Sequence, residues 1–143
     1  MNAGSGPPVG CHHHHDPLAG SLDQLRGCSS ALGASFARHL QTEPCRGLPQ
    51  PAPCSGRQLV RTLAALAGRR AVPARFAVLC RRLARLWRRR GACAAHCDAA
   101  GAALLRSLRE VLGPAYEEVE DCWAEFYGRA AEALLAGVPA SDA

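Results

Sequence analysis

Lysine is absent from this 143-residue chain, so all 17 basic residues are arginine. The sequence also lacks any run of about 18 apolar residues, the minimum for a membrane-spanning helix. Residues 1–20 contain neither the basic segment nor the apolar segment of a secretory signal peptide. These absences predict a soluble, cytoplasmic protein that does not span a membrane.

Three further patterns are missing, and each excludes a class of structure or function. No segment alternates apolar and polar residues as a half-buried strand does, so we expect an all-α fold. No Ser-His-Asp set, carboxylate pair or glycine-rich phosphate loop occurs in a suitable context, so we expect no enzymatic activity. The eight cysteines have no secretory signal beside them, which favours free thiols over disulfides.

The charges that are present are distributed unevenly. Between Glu43 and Asp98 there are twelve arginines and no acidic residue, whereas residues 98–143 contain nine acidic residues and three arginines. We favour the interpretation that both regions belong to one compact domain, in which their opposite charges attract each other. The alternative is that the basic region attracts nucleic acid or an anionic membrane.

Apolar residues recur with helical spacing from Ser21 onward and predict five main helices. Pro73 fits the first turn of the third helix, and Asp98 is a suitable N-cap for the fourth. Pro44, Pro49 and the prolines after them exclude regular structure from the corner between the first two helices. The predicted helices are residues 21–41, 55–68, 73–91, 98–112 and 115–136.

Composition divides the chain into three parts. Residues 1–20 are rich in glycine, proline and histidine and predict a disordered tail, residues 21–137 a single folded domain, and residues 138–143 a flexible C-terminus. The tail contains the run CHHHH, from Cys11 to His15, whose thiol and imidazole groups suit a divalent metal. Low-complexity tails often bind metal without a physiological role, so we expect no functional site there.

Several segments resemble a globin. GAALLRSLREVLGPAYEEVEDCWAEFYGRAAEALLAG, residues 101–137, resembles the last two helices of globins, especially the neuroglobin and bacterial branches. FARHLQTEP, residues 36–44, resembles the end of the globin B helix and the short helix after it. SGRQLVRTLAAL, residues 55–66, resembles the distal helix. The resemblance covers residues 22–137 and implies a globin-like domain with a shortened, proline-rich middle corner.

The resemblance also implies a function and a cofactor. Globins bind haem, and through its iron they bind oxygen or another diatomic gas for transport, storage or sensing. A histidine on the proximal helix ligates the iron, and a polar residue on the distal helix hydrogen-bonds the gas. Alignment places Trp87 at the proximal position, Ser55 at the distal position and Leu59 at the next inward-facing distal position. The indole of Trp87 has no available lone pair and cannot ligate iron.

Two residues of the segment CAAHC are candidate substitute ligands for iron or zinc. His96 and Cys93 supply imidazole and thiolate close together, in a predicted loop that can fold back towards the haem position. If neither serves, Trp87 fills part of the haem volume, and the chain is a haem-free interaction or scaffold protein. Trp123 matches a tryptophan common in the last globin helix and is expected in the core.

The rival class of function is nucleic-acid binding through the third predicted helix. Clustered guanidinium groups contact phosphates without sequence specificity, but the arginine-rich face of this helix lacks aromatic residues for base stacking. The arginines concerned are Arg81, Arg82, Arg85, Arg88, Arg89 and Arg90.

Overall fold

The structure, a computed structural model, describes residues 16–42, 55–91 and 93–136. These ranges contain α-helices and no strand, which confirms the all-α prediction. A single turn of 3-10 helix, Gly113–Ala115, joins the last two helices. The helices are α1 (Pro17–Gly27), α2 (Ser29–Thr42), α3 (Gly56–Arg69), α4 (Pro73–Arg89), α5 (Ala94–Leu112) and α6 (Tyr116–Leu135).

Three predicted features lie outside the described residues: most of the tail with its CHHHH run, the proline-rich corner, and the C-terminus. All five predicted helical segments fall largely within the described residues. None of the helices in the described ranges is long and apolar enough to cross a bilayer.

The first predicted helix is two helices, and it begins earlier than expected. The carboxylate of Asp16 accepts hydrogen bonds from the backbone N–H groups of Leu18 and Ala19, at 3.1 and 3.3 Å, and Pro17 occupies the first helical position. Residues 17–20, assigned to the tail, are therefore the first turn of α1. Cys28 leaves helical geometry and separates α1 from α2, a break that apolar periodicity does not reveal.

The predicted N-cap at Asp98 is wrong. Helix α5 starts at Ala94, and Asp98 is an exposed residue one turn inside it. The N-cap is Cys93, whose backbone N–H donates to Nδ1 of His96 at 2.7 Å. A histidine thus takes the place that glutamate or glutamine usually has in a capping box.

All six helices contribute to the core, in which α1 packs against α3 and α6, α2 along α5, and α4 along α6. Trp123 is fully buried, and its indole N–H donates to the Ser21 hydroxyl at 2.9 Å, which joins α6 to α1. The prediction that Trp123 belongs to the core is confirmed. The largest other apolar side chains with almost no exposure are Leu25, Leu32 and Leu108.

The N-terminus of α3 lies directly against α2. A Cβ atom on Gly56 would stand 1.8 Å from the carbonyl oxygen of Ser29, and one on Gly33 would stand 2.7 Å from Cα of Gly56. Only glycine permits this approach at residue 56. Helix α3 is therefore held at a fixed distance from α2, with Leu59 one turn further along it.

Helices α2 and α5 are also joined by a polar cluster at the surface. The Ser35 hydroxyl and the Arg38 guanidinium both donate to the Glu110 carboxylate. The hydrogen bond from Ser35, followed by the charge of Arg38, lowers the pKa of Glu110 below its usual value although partial desolvation opposes this. The cluster therefore helps to keep α2 against α5 at neutral pH.

Candidate functional site

An apolar cavity of about 180 Å³ lies between α2, α3, α4, α5 and α6. Its size is close to that of an engineered cavity of about 150 Å³ that binds benzene. Arg90 is exposed and also borders the cavity, so this end reaches the surface. The cavity can accept a small apolar molecule. Its apolar lining includes Phe36, Leu40, Leu59, Leu63, Leu66, Leu83, Trp87, Ala100, Leu104 and Phe126.

Two of the three residues predicted to surround haem lie at this cavity. Leu59 reaches it from α3 and Trp87 from α4, and both are half-buried. Ser55 is not among the described residues that line it. Its exposed side chain accepts the backbone N–H of Gln58 at 3.1 Å and so serves as the N-cap of α3. A hydroxyl used in this way does not reach a ligand in the cavity.

His96 is the polar residue of greatest interest in the lining. It is only 3% exposed, and its Nε2 has no hydrogen-bond partner within the ranges that the structure describes. Its Nδ1 accepts the Cys93 N–H, so the proton of the neutral ring is assigned to Nε2. His96, a residue of the cavity lining, therefore has a buried N–H donor without a partner among the described residues.

The other polar groups of the lining differ from His96. The Tyr127 hydroxyl donates to the Cys97 carbonyl oxygen at 2.6 Å, and burial raises the pKa of Tyr127 well above its ordinary value. This hydroxyl is therefore protonated at neutral pH, and its proton is engaged. Thr62 is half-buried and Arg90 is exposed.

The described residues do not fit haem iron. Trp87 offers no lone pair, and ligation through Nε2 of His96 would place the ring proton on Nδ1, against the Cys93 N–H. Burial raises the pKa of Cys97 to about 11, so its thiol is not a thiolate at neutral pH. The proximity of Cys93 and His96 is explained by the helix cap.

Potential metal ligands are not clustered elsewhere in the described residues either. Within residues 16–42, 55–91 and 93–136, no three histidine, cysteine, aspartate or glutamate side chains are grouped so that they could hold a metal ion. Cys93 itself is buried but does not line the cavity in the part of the chain described. Zinc therefore has no three-residue site here, whereas structural zinc needs four ligands.

A second feature is the outward face of α4. The side of α4 opposite Phe76, Cys80 and Ala84 is strongly basic. This surface can contact phosphate groups, but no aromatic side chain accompanies the arginines there for base stacking. The exposed arginines in the second half of α4 and just after it are Arg81, Arg82, Arg85, Arg88, Arg89 and Arg90.

Comparison with protein-family models, with curated proteins and with solved structures gives no match.

The position of His96 at the cavity was not predicted from the sequence. A helix start at Asp98 puts His96 in the preceding loop, whereas the residue lies in the first turn of α5. The spacing from Cys93 to His96 is that of a capping box, and this was the available signal. Recognising it would have placed His96 in the first turn of α5, although not at the cavity.

Proposed function

We propose that this chain is a haem-free, globin-like domain whose cavity binds a small apolar molecule. The observation that supports this best is the joint placement of Leu59 and Trp87 at one apolar cavity. The globin resemblance identifies their helices as distal and proximal, so the cavity occupies the place expected for haem. In this proposal, haem-based binding of oxygen has been lost together with the iron ligand.

Energetics favour an occupant for the cavity. Apolar side chains around unfilled space lack the dispersion contacts that a packed core provides, which is unfavourable. A ligand that fills it regains dispersion contacts and buries its own apolar surface. Because Trp87 is only half-buried, we assign it to the boundary of the cavity, where it leaves room for a small molecule.

Indane, a bicyclic hydrocarbon without polar atoms, is a suitable probe for calorimetric titration. We expect one-to-one binding with a Kd of about 1 mM or tighter, because even small ligands gain substantial free energy per atom in an apolar site. Ala100 on α5 lines the cavity, and Ala100→Leu should fill it and abolish binding. Ala124→Leu, on the exposed side of α6, is the matched control and should bind indane like the wild type.

Two results would refute the proposal. One is an absence of heat with indane when the wild-type protein is folded by circular dichroism. The other is equal indane affinity in the wild type and Ala100→Leu, which would place binding outside the cavity.

A second candidate function is nonspecific binding of nucleic-acid phosphates. It is favoured by the six exposed arginines in the second half of α4 and just after it. If six phosphates are contacted, affinity for a duplex should fall about 1000-fold between 50 and 200 mM salt. Fluorescence anisotropy measures duplex affinity at each salt concentration. The plot of log affinity against log salt should be less steep for the triple variant with Arg82, Arg85 and Arg89 changed to Gln. A control with Gln at Arg26 and Arg109 should keep the slope, and equal slopes would refute this function.

A further inference from the structure

Within the described residues, two buried side-chain nitrogens lack a hydrogen-bond partner: Nε2 of His39 and Nε2 of His96. The first has a charged neighbour, since the Glu110 carboxylate is 3.6 Å away. The second belongs to His96, a residue of the cavity lining, and has no such neighbour among the described residues. An unsatisfied buried N–H is unfavourable, because the group has lost its hydrogen bond to water.

We infer that the cavity ligand has a carbonyl group, and that its oxygen accepts the Nε2–H of His96. This inference rests on the proposed function, because it specifies the molecule that the apolar cavity binds. The ligand class is a small ketone or aldehyde with an apolar body. Its oxygen satisfies the one buried donor that the described protein residues leave unpaired at the cavity.

The direction of this hydrogen bond is determined by the helix cap. The Cys93 N–H occupies Nδ1 and assigns the ring proton to Nε2, so His96 can donate to the ligand but cannot accept from it. Tyr127 does not compete as a donor, because its hydroxyl proton goes to the Cys97 carbonyl oxygen. The hydrogen bond that caps α5 therefore makes the cavity selective for ligands with a hydrogen-bond acceptor.

The test compares 1-indanone with indane, which has the same ring system without the carbonyl. His96→Asn keeps an acceptor near the position of Nδ1 for the Cys93 N–H and removes the donor at Nε2. We expect His96→Asn to weaken 1-indanone binding about 5- to 10-fold more than it changes indane binding. Because both ligands are measured on both proteins, differences in partitioning and cavity size cancel in the ratio.

A second measurement on the wild type needs no variant. With ¹⁵N-labelled histidine, 1-indanone should shift the Nε2–H resonance of His96 through a new hydrogen bond, and indane should shift it much less. If indane and 1-indanone both bind but neither the ratio nor the resonance distinguishes them, the inference is wrong while the cavity function stands. If neither ligand binds the wild type, both are wrong.

Discussion

Trp123→Ala is expected to lower the free energy of unfolding by about 3–5 kcal/mol, measured by guanidinium denaturation. Trp123 is fully buried, and its ring meets that of Phe126 edge-on with centroids 5.7 Å apart. Its indole N–H also donates to the Ser21 hydroxyl, which itself donates to the Leu18 carbonyl oxygen at 2.9 Å. Truncation leaves a void and removes the link between α6 and α1.

Trp87→Ala is the matched control, because it removes the same side chain from a half-buried position. Its loss should be about 1–2 kcal/mol, since the indole buries less surface at the edge of the cavity. Equal losses for the two tryptophans would show that Trp87 is packed as tightly as Trp123. That outcome would contradict a cavity beside it.

Trp87→His is expected to create saturable haem binding that the wild type lacks. Haem is much larger than the cavity of about 180 Å³, so this binding also requires α3 and α4 to move apart. If the globin alignment is right, the new imidazole supplies the missing proximal ligand, and it is smaller than the indole that it replaces. Haem titration followed at the Soret band measures the gain.

Leu86→His provides the control for adventitious binding. Leu86 is the neighbouring residue on α4 and is 50% exposed, so a histidine there points to solvent beside the same arginines. It should give no saturable one-to-one Soret shift. If Leu86→His and Trp87→His bind haem equally, the histidine acts at the surface, and the alignment has no support.

The helices were predictable because their apolar spacing reflects which face is buried. The ends of the helices were less predictable, because helix ends depend on side-chain hydrogen bonds. Asp16 starts α1 and His96 helps to start α5, yet Asp98 was an equally plausible cap from sequence alone. The break at Cys28 left the apolar stripe intact, since Leu25 and Leu32 on either side are both buried.

The cavity was not predictable from spacing, although its walls were. Phe36, Leu40, Leu59 and Leu83 fit the helical stripes and were expected in the core, but they are half-buried around unfilled space. Periodicity identifies the inward face of a helix and says nothing of whether opposing side chains meet. The globin resemblance predicts Leu59 and Trp87 on two sides of one haem; both residues line the cavity, and the haem site stays a prediction.

The measurement that tests most directly whether the chain keeps the cavity but lacks an iron ligand is a haem titration of the wild-type protein. Absorbance is recorded in the ferric, ferrous and ferrous-carbonyl states, with Trp87→His as the positive control. We predict no saturable Soret shift for the folded wild type. A saturable one-to-one shift, with a carbonyl spectrum that changes in His96→Asn, would show that His96 ligates iron and would contradict the haem-free proposal.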